Sequence, residues 1–170
     1  MPAQLSYTQN HSAAYAGDKA NSDDMRVRAA LNTDVVELPY GRALVLGAAL
    51  ASPNVNDPVS AILPVDANSV FVGINLHSQA HNPNNTNGVL VGDMLNVMTQ
   101  GLIYVEVEQA VTPASAVFFR HTLAGATGTS PALGKFRLDA DTAKATALTN
   151  ARFRGTAAAG GIVALEINMP

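Results

Sequence analysis

The chain has no cysteine and no tryptophan, only 5% of its residues are aromatic, and only 14% are charged. Without cysteine, a disulfide scaffold, a thiol nucleophile and a cysteine-ligated zinc site are all excluded. The shortage of charge, with a formal balance of -3, argues against nucleic acid as a partner, because backbone binding draws on many Lys and Arg groups that neutralise phosphates. No stretch approaches the roughly 20 continuous apolar residues that a bilayer span requires. The opening Met1-Pro2-Ala3-Gln4-Leu5-Ser6 has neither a basic region nor a following apolar block, so neither a signal peptide nor a membrane protein is expected.

What is present is aliphatic. Hydrophobic residues make up 48% of the 170, much of that Ala, Val and Leu, which predicts a core of small aliphatic layers. A chain of this length suits one domain, or one domain with an extended arm, and buries a core without metal or disulfide help. A surface so poor in charge is better satisfied against another protein chain than in water.

Residues 1–24 are rich in Ala, Asn, Ser, Gln and Asp, with isolated apolar groups at Leu5, Tyr7 and Tyr15. They read as an extended N-terminal arm, because ordering about 25 residues costs on the order of 25 to 50 kcal/mol that so few large apolar groups cannot recover alone. Residues 25–170 read as a single β-rich domain. Met25 to Val36 reads as irregular chain leading into a strand, and Arg42 to Leu46 as a strand. The proline-dense stretch from Ala48 to Asp66 reads as a loop with one short edge strand near Ala61 to Leu63. Further strands are expected at Ser69 to Leu76, Met94 to Met98, Leu102 to Glu108, Ala116 to Arg120, Lys135 to Leu138, Ala151 to Arg154 and Ile162 to Ile167. Thr99-Gln100-Gly101 predicts a hairpin turn. Alternation from Leu102 onward puts Ile103, Val105 and Val107 inward, with Tyr104, Glu106 and Glu108 on the opposite face. Asp139-Ala140-Asp141 suits a turn, with room for a single helical turn over Thr142 to Leu148. The fold class that follows is all-β: a compact small barrel or sandwich of short, mainly antiparallel strands.

No arrangement of residues carries chemistry. His77 and His81 have the spacing of two ligands on a helix, but Pro83 and the Asn-rich run His81 to Asn87 argue for a surface loop, so no metal site is expected. His11 and His121 stand alone. Serines lack a nucleophile-elbow pattern, and the Gly-rich stretches lack both phosphate-loop and dinucleotide fingerprints. No catalytic residue, cofactor or metal is expected. Arg152 and Arg154 flank Phe153 on one strand face, where guanidinium groups suit carboxylates across an interface or a solvated face.

Ala14-Tyr15-Ala16-Gly17-Asp18-Lys19-Ala20, Glu37-Leu38-Pro39-Tyr40-Gly41-Arg42-Ala43-Leu44-Val45 and Phe71-Val72-Gly73-Ile74 resemble segments of the structural cement proteins of tailed bacteriophages. So do the run from Gly92 to Glu108, Ala116-Val117-Phe118-Phe119-Arg120, Gly134-Lys135-Phe136-Arg137 and the terminal Gly161 to Ile167. The pieces cover most of the chain in the family's order. The Asn-rich insert is longer and more polar than the family pattern. The resemblance implies a capsid cement, or decoration, protein without enzymatic activity. It further implies placement on the outer surface of the phage capsid, contact with the major capsid protein, and contact with neighbouring copies as a homo-oligomer, trimer or dimer. By the resemblance, the stretch Tyr15 to Asp18 and the turn Pro39 to Arg42 are recurrent structural positions; the candidate interface residues are Tyr7, Tyr15, Asp18, Tyr40, Arg42, Arg152 and Arg154. Two other readings compete. A carbohydrate-binding β-module would use the Asn-rich loop, but Tyr40 is the one loop aromatic suited to stack on a sugar. A small β-barrel enzyme lacks a nucleophile, base or ligand cluster.

Overall fold

Short runs of Val, Leu, Ile and Phe between glycine- and proline-rich connections fold as strands, because branched and aromatic side chains fit a pleated, half-buried surface. The computed structural model describes residues 15–21, 24–48, 59–77 and 88–168, and among these the chain forms twelve β-strands and no helix. In chain order they are β1 Arg26–Asn32, β2 Leu38–Pro39, β3 Ala43–Leu46, β4 Val59–Ile62, β5 Phe71–Asn75 and β6 Gly88–Val89. β7 Met94–Glu106, β8 Phe118–Arg120, β9 Phe136–Arg137, β10 Ala145–Ala147, β11 Ala151–Phe153 and β12 Ile162–Asn168 complete the set.

Five strands close a barrel in the order β1, β4, β3, β5, β7, because β7 pairs with β5 on one edge and with β1 on the other. The β1–β4 pair is parallel and the others are antiparallel. The barrel interior is narrow, so small aliphatic side chains fill it. The register sets Ala30 opposite Leu95, Leu46 opposite Ala61 and Leu44 opposite Gly73, and Ala30, Leu44, Ala61, Leu95 and Val97 form one buried cluster with Leu38, Tyr40 and Val89. The last three belong to the β2–β6 pair and the turn after it, which plugs one end. Two buried amides hold the plug: Asn32 Nδ2 donates to the Val36 and Val89 carbonyls at 3.1 and 2.9 Å, and Asn75 Nδ2 donates to Leu38 and Pro39.

The second half of β7 leaves the barrel and pairs with β12, which pairs with β11. A three-stranded sheet, β10-β8-β9, packs beside it. Between these layers lies the larger core, with Met98, Ile103, Val105, Val107, Phe119, Phe136, Phe153 and Leu165 all buried. The inward set Ile103, Val105 and Val107 is as the alternation predicts.

Four local expectations are corrected. The hairpin at Thr99-Gln100-Gly101 is instead one continuous 13-residue strand. Gly101, at φ +128°, continues β7 without reversing it, because β1 and β5 supply hydrogen-bond partners to its first half and β12 to its second. The stretch read as irregular contains β1, while Val35 and Val36 are exposed in the turn that follows it. β4 is no edge strand, since it lies between β1 and β3. Residues 142–148 hold no helical turn: Asp141, Thr142 and Ala143 take left-handed φ values of 42°, 56° and 61°, and the chain then enters β10.

Candidate functional site

Part of the stretch read as an arm is in place against the domain. Gly17 N–H donates to Tyr104 O at 2.7 Å, Tyr104 N–H to Asp18 O at 2.9 Å and Ala20 N–H to Leu102 O at 2.9 Å, so residues 17–20 add a short strand to β7. The approach to the Tyr40-Gly41 turn is too close for a side chain, since a Cβ on Gly41 would stand 2.8 Å from the Ala16 Cβ and 2.7 Å from the Gly17 nitrogen. Tyr7 lies outside the described residues.

Tyr15 is 72% exposed. Asp18 pairs with His77 Nδ1 at 3.0 Å, and Tyr40 meets the same imidazole edge-on at 4.7 Å between ring centroids. Tyr40 is buried; burial, then the nearby Glu37 charge, pushes its phenol pKa up. Arg42 is mostly buried, with Nη2 3.6 Å from Glu106 Oε2. Burial lowers its pKa against the attraction of Glu106 and Glu108. Tyr40 and Arg42 thus serve the interior, and Asp18 ties the added strand to the barrel. Arg152 is exposed and stands opposite Glu166 in the β11–β12 register, while Arg154 Nε reaches the same carboxylate at 2.9 Å. The three make one solvated charged face.

The sequence reading missed a charge cluster inside the molecule. Glu108 was expected on a polar strand face; its side chain is fully buried. It follows β7, and its backbone N–H donates to Phe136 O, which sets it beside the ends of β8 and β9. Arg120 Nε and Nη2 grip its two oxygens, each at 2.6 Å, the bidentate geometry in which a guanidinium matches a carboxylate best. Arg137 Nη1 lies 2.9 Å from Glu108 Oε2 and 3.1 Å from Asp141 Oδ2, and Arg120 Nη2 lies 2.8 Å from the same Asp141 oxygen. The Thr127 carbonyl accepts from both arginines at 2.9 Å. These four side chains are at most 4% exposed, and two positive charges meet two negative ones.

The cluster is built to hold charge. Burial works against the Asp141 carboxylate, but hydrogen bonds from Thr127 and Arg120 and the Arg137 charge outweigh it and hold its pKa far below the usual carboxylate range. Asp139 is lowered too, burial being outweighed by Gln109, Arg137 and the Asp141 N–H. For Arg120, burial is outweighed by Glu108 and Asp141, so its pKa rises. Groups so firmly ionised do not shuttle protons; they clamp the small sheet and the Asp141 turn onto β7. Among the described residues no three His, Asp or Glu side chains gather as metal ligands would.

The family model described as "Structural cement protein (E217 gp24/Pam3 gp6)" matches residues 3–168. The chain belongs to the phage structural cement protein family. It is accordingly a non-enzymatic, capsid-associated phage protein. This cement protein also shares its fold with a chain from a solved structure described as "The capsid of Myoviridae Phage XM1", at a TM-score of 0.68 and 18% identity. The superposition covers 99% of the cement protein and 98% of the phage XM1 chain. A comparison with curated proteins found no match.

Proposed function

We propose that this protein binds the outer surface of the major capsid protein shell and stabilises it by bridging capsomers. The family match over residues 3–168 carries the reading. The geometry supports it in two ways: the described residues offer exposed apolar side chains at several sites, and a charged face at Arg152, Arg154 and Glu166 suits salt-sensitive contacts. A protein that spans a seam adds interface area that must be broken before the shell opens. Burying about 1,500 Å² per copy reaches the size of a specific complex. Copies joined as a dimer or trimer hold on at several points at once, which slows release. In this reading residues 25–170 form the cement domain and residues 1–24 an arm of which the far end meets a neighbour. Tyr15, Arg152 and Arg154 are its exposed contacts.

The test is a cryo-electron microscopy map of the particle carrying this protein, at a resolution that traces side chains. Density for the barrel at regular positions outside the shell, across seams between capsomers, is expected. A complete particle without it would overturn the reading.

A further inference from the structure

Among the described residues His121 is the one buried histidine, at 4% exposed, and the charge cluster makes no use of it. It follows β8, where alternation sets it on the face of Phe119 and opposite Arg120. Phe119 packs on Phe71 at the start of β5, with 5.6 Å between ring centroids, so this face is the seam where the small sheet meets the barrel. Backbone bonds fix the imidazole there: the His121 and Thr122 N–H groups both donate to Lys144 O, at 3.0 and 3.2 Å. Its Nδ1 lies 2.9 Å from Thr122 Oγ1.

Three charged side chains bear on the ring. Arg120, the preceding residue, points into the cluster on Glu108 and Asp141. Lys144, across the strand pairing, sends Nζ to Asp141 O at 3.3 Å. Asp66 supplies the negative charge, from the turn that leads into β5; it is exposed, and its Oδ1 accepts the Asn68 N–H at 2.8 Å. Water screens an exposed carboxylate but does nothing for a buried imidazolium. Burial, with repulsion from Arg120, therefore outweighs the attraction of Asp66 and lowers the His121 pKa. A proton added to the ring also makes both nitrogens donors, so the Thr122 hydroxyl can no longer donate to it.

We propose that His121 is a proton-sensitive joint between the barrel and the small sheet, packed while neutral and loosened when mild acid sets a further cation beside Arg120 and Lys144. The unfolded chain takes up this proton near pH 6.5 and the folded chain only at lower pH. The stability that the packing contributes is therefore whole above about pH 6.5 and is lost as pH falls from there to the folded value. This window lies above the range in which carboxylates titrate, near pH 4, so the seam loosens while the buried cluster stays ionised. The joint is a property of the free chain and does not depend on the cement reading.

The experiment uses the purified full-length chain, wild type and His121→Gln, between pH 7.5 and pH 5. The imidazole C–H signal of wild-type His121 should titrate below the ordinary histidine value of about 6.5. Over that titration, amide exchange at Ser69, His121 and Thr122, corrected for its intrinsic pH dependence, should rise several-fold, and the unfolding temperature should fall. His121→Gln, which cannot take up the proton, should keep the slower exchange and lose less of its unfolding temperature. A His121 signal that titrates at or above the ordinary value means that Asp66 wins and acid tightens the seam, which overturns the proposal. Exchange that stays flat through the wild-type titration overturns it too, and this readout holds even if the variant does not fold. So does a folded variant that loosens as much as wild type, since the acid response then belongs to another group.

Discussion

Replacing Glu108 by glutamine leaves Arg120 and Arg137 buried with Asp141 as the remaining buried carboxylate. Breaking a buried pair from one side costs about 3 to 5 kcal/mol, a large share of the 5 to 15 kcal/mol that typically holds a domain together. Arg154→Ala, at the exposed Glu166 pair, should cost below about 1 kcal/mol. Denaturant titration of the two variants should therefore differ several-fold; equal losses would mean that the cluster does not clamp the fold. The same cluster sets an acid limit. Asp139 and Asp141 have folded pKa values below their unfolded ones, so the stability they contribute is complete above about pH 4 and fades as pH falls toward the folded values. Asp141→Asn should be weaker than wild type at neutral pH and lose less on acidification. Glu108 was misread for a physical reason: alternation along a strand reports which side of that strand a residue takes, not what packs there. Glu108 lies beyond the end of β7, where its N–H bonds to Phe136 O and the ends of β8 and β9 close over it. The sequence holds no signal that separates these arginines: Phe119-Arg120 and Phe136-Arg137 place a charge directly after a core phenylalanine, but so does Phe153-Arg154, whose arginine is exposed.

β7 shows what a single element can hide. Its two halves read correctly as strands and its inward residues were legible, but the polar Thr99-Gln100-Gly101 link between them matched a hairpin equally well. Whether such a link reverses or continues depends on which distant strands offer their free backbone edges, and β1, β5 and β12 lie far away in sequence. β1 itself was hidden because Arg26, Arg28, Ala29 and Ala30 lack the branched side chains that mark a strand; closing the barrel recruits it regardless. Gly101→Val tests the continuous strand. A Cβ there finds room, the nearest heavy atom being Met98 Sδ at 3.4 Å, so the penalty is conformational: a branched residue held at φ +128° should cost about 1 to 3 kcal/mol. A loss of that size in thermal unfolding is expected. A neutral substitution would show that β7 does not need a left-handed backbone at residue 101.

For the whole molecule, all-β class and family were legible because strand-sized apolar runs and their order survive in the sequence, whereas the boundary between arm and domain was not. Composition marks residues 1–24 as one weakly apolar stretch, yet residues 17–20 bond along β7 and press on the Gly41 turn. Backbone pairing and a glycine-to-glycine approach leave no hydrophobic trace to read. Two truncations separate the parts. Removing residues 1–14 spares every one of those contacts, so the domain should unfold at the wild-type temperature. If the far arm meets a neighbour, attachment to shells should weaken all the same. Removing residues 1–24 also strips the added strand and exposes the Leu102 and Tyr104 backbone edge, so unfolding temperature and attachment should both fall. Attachment of the shorter truncation at full strength would assign capsid binding to residues 15–170 and overturn the role of the far arm.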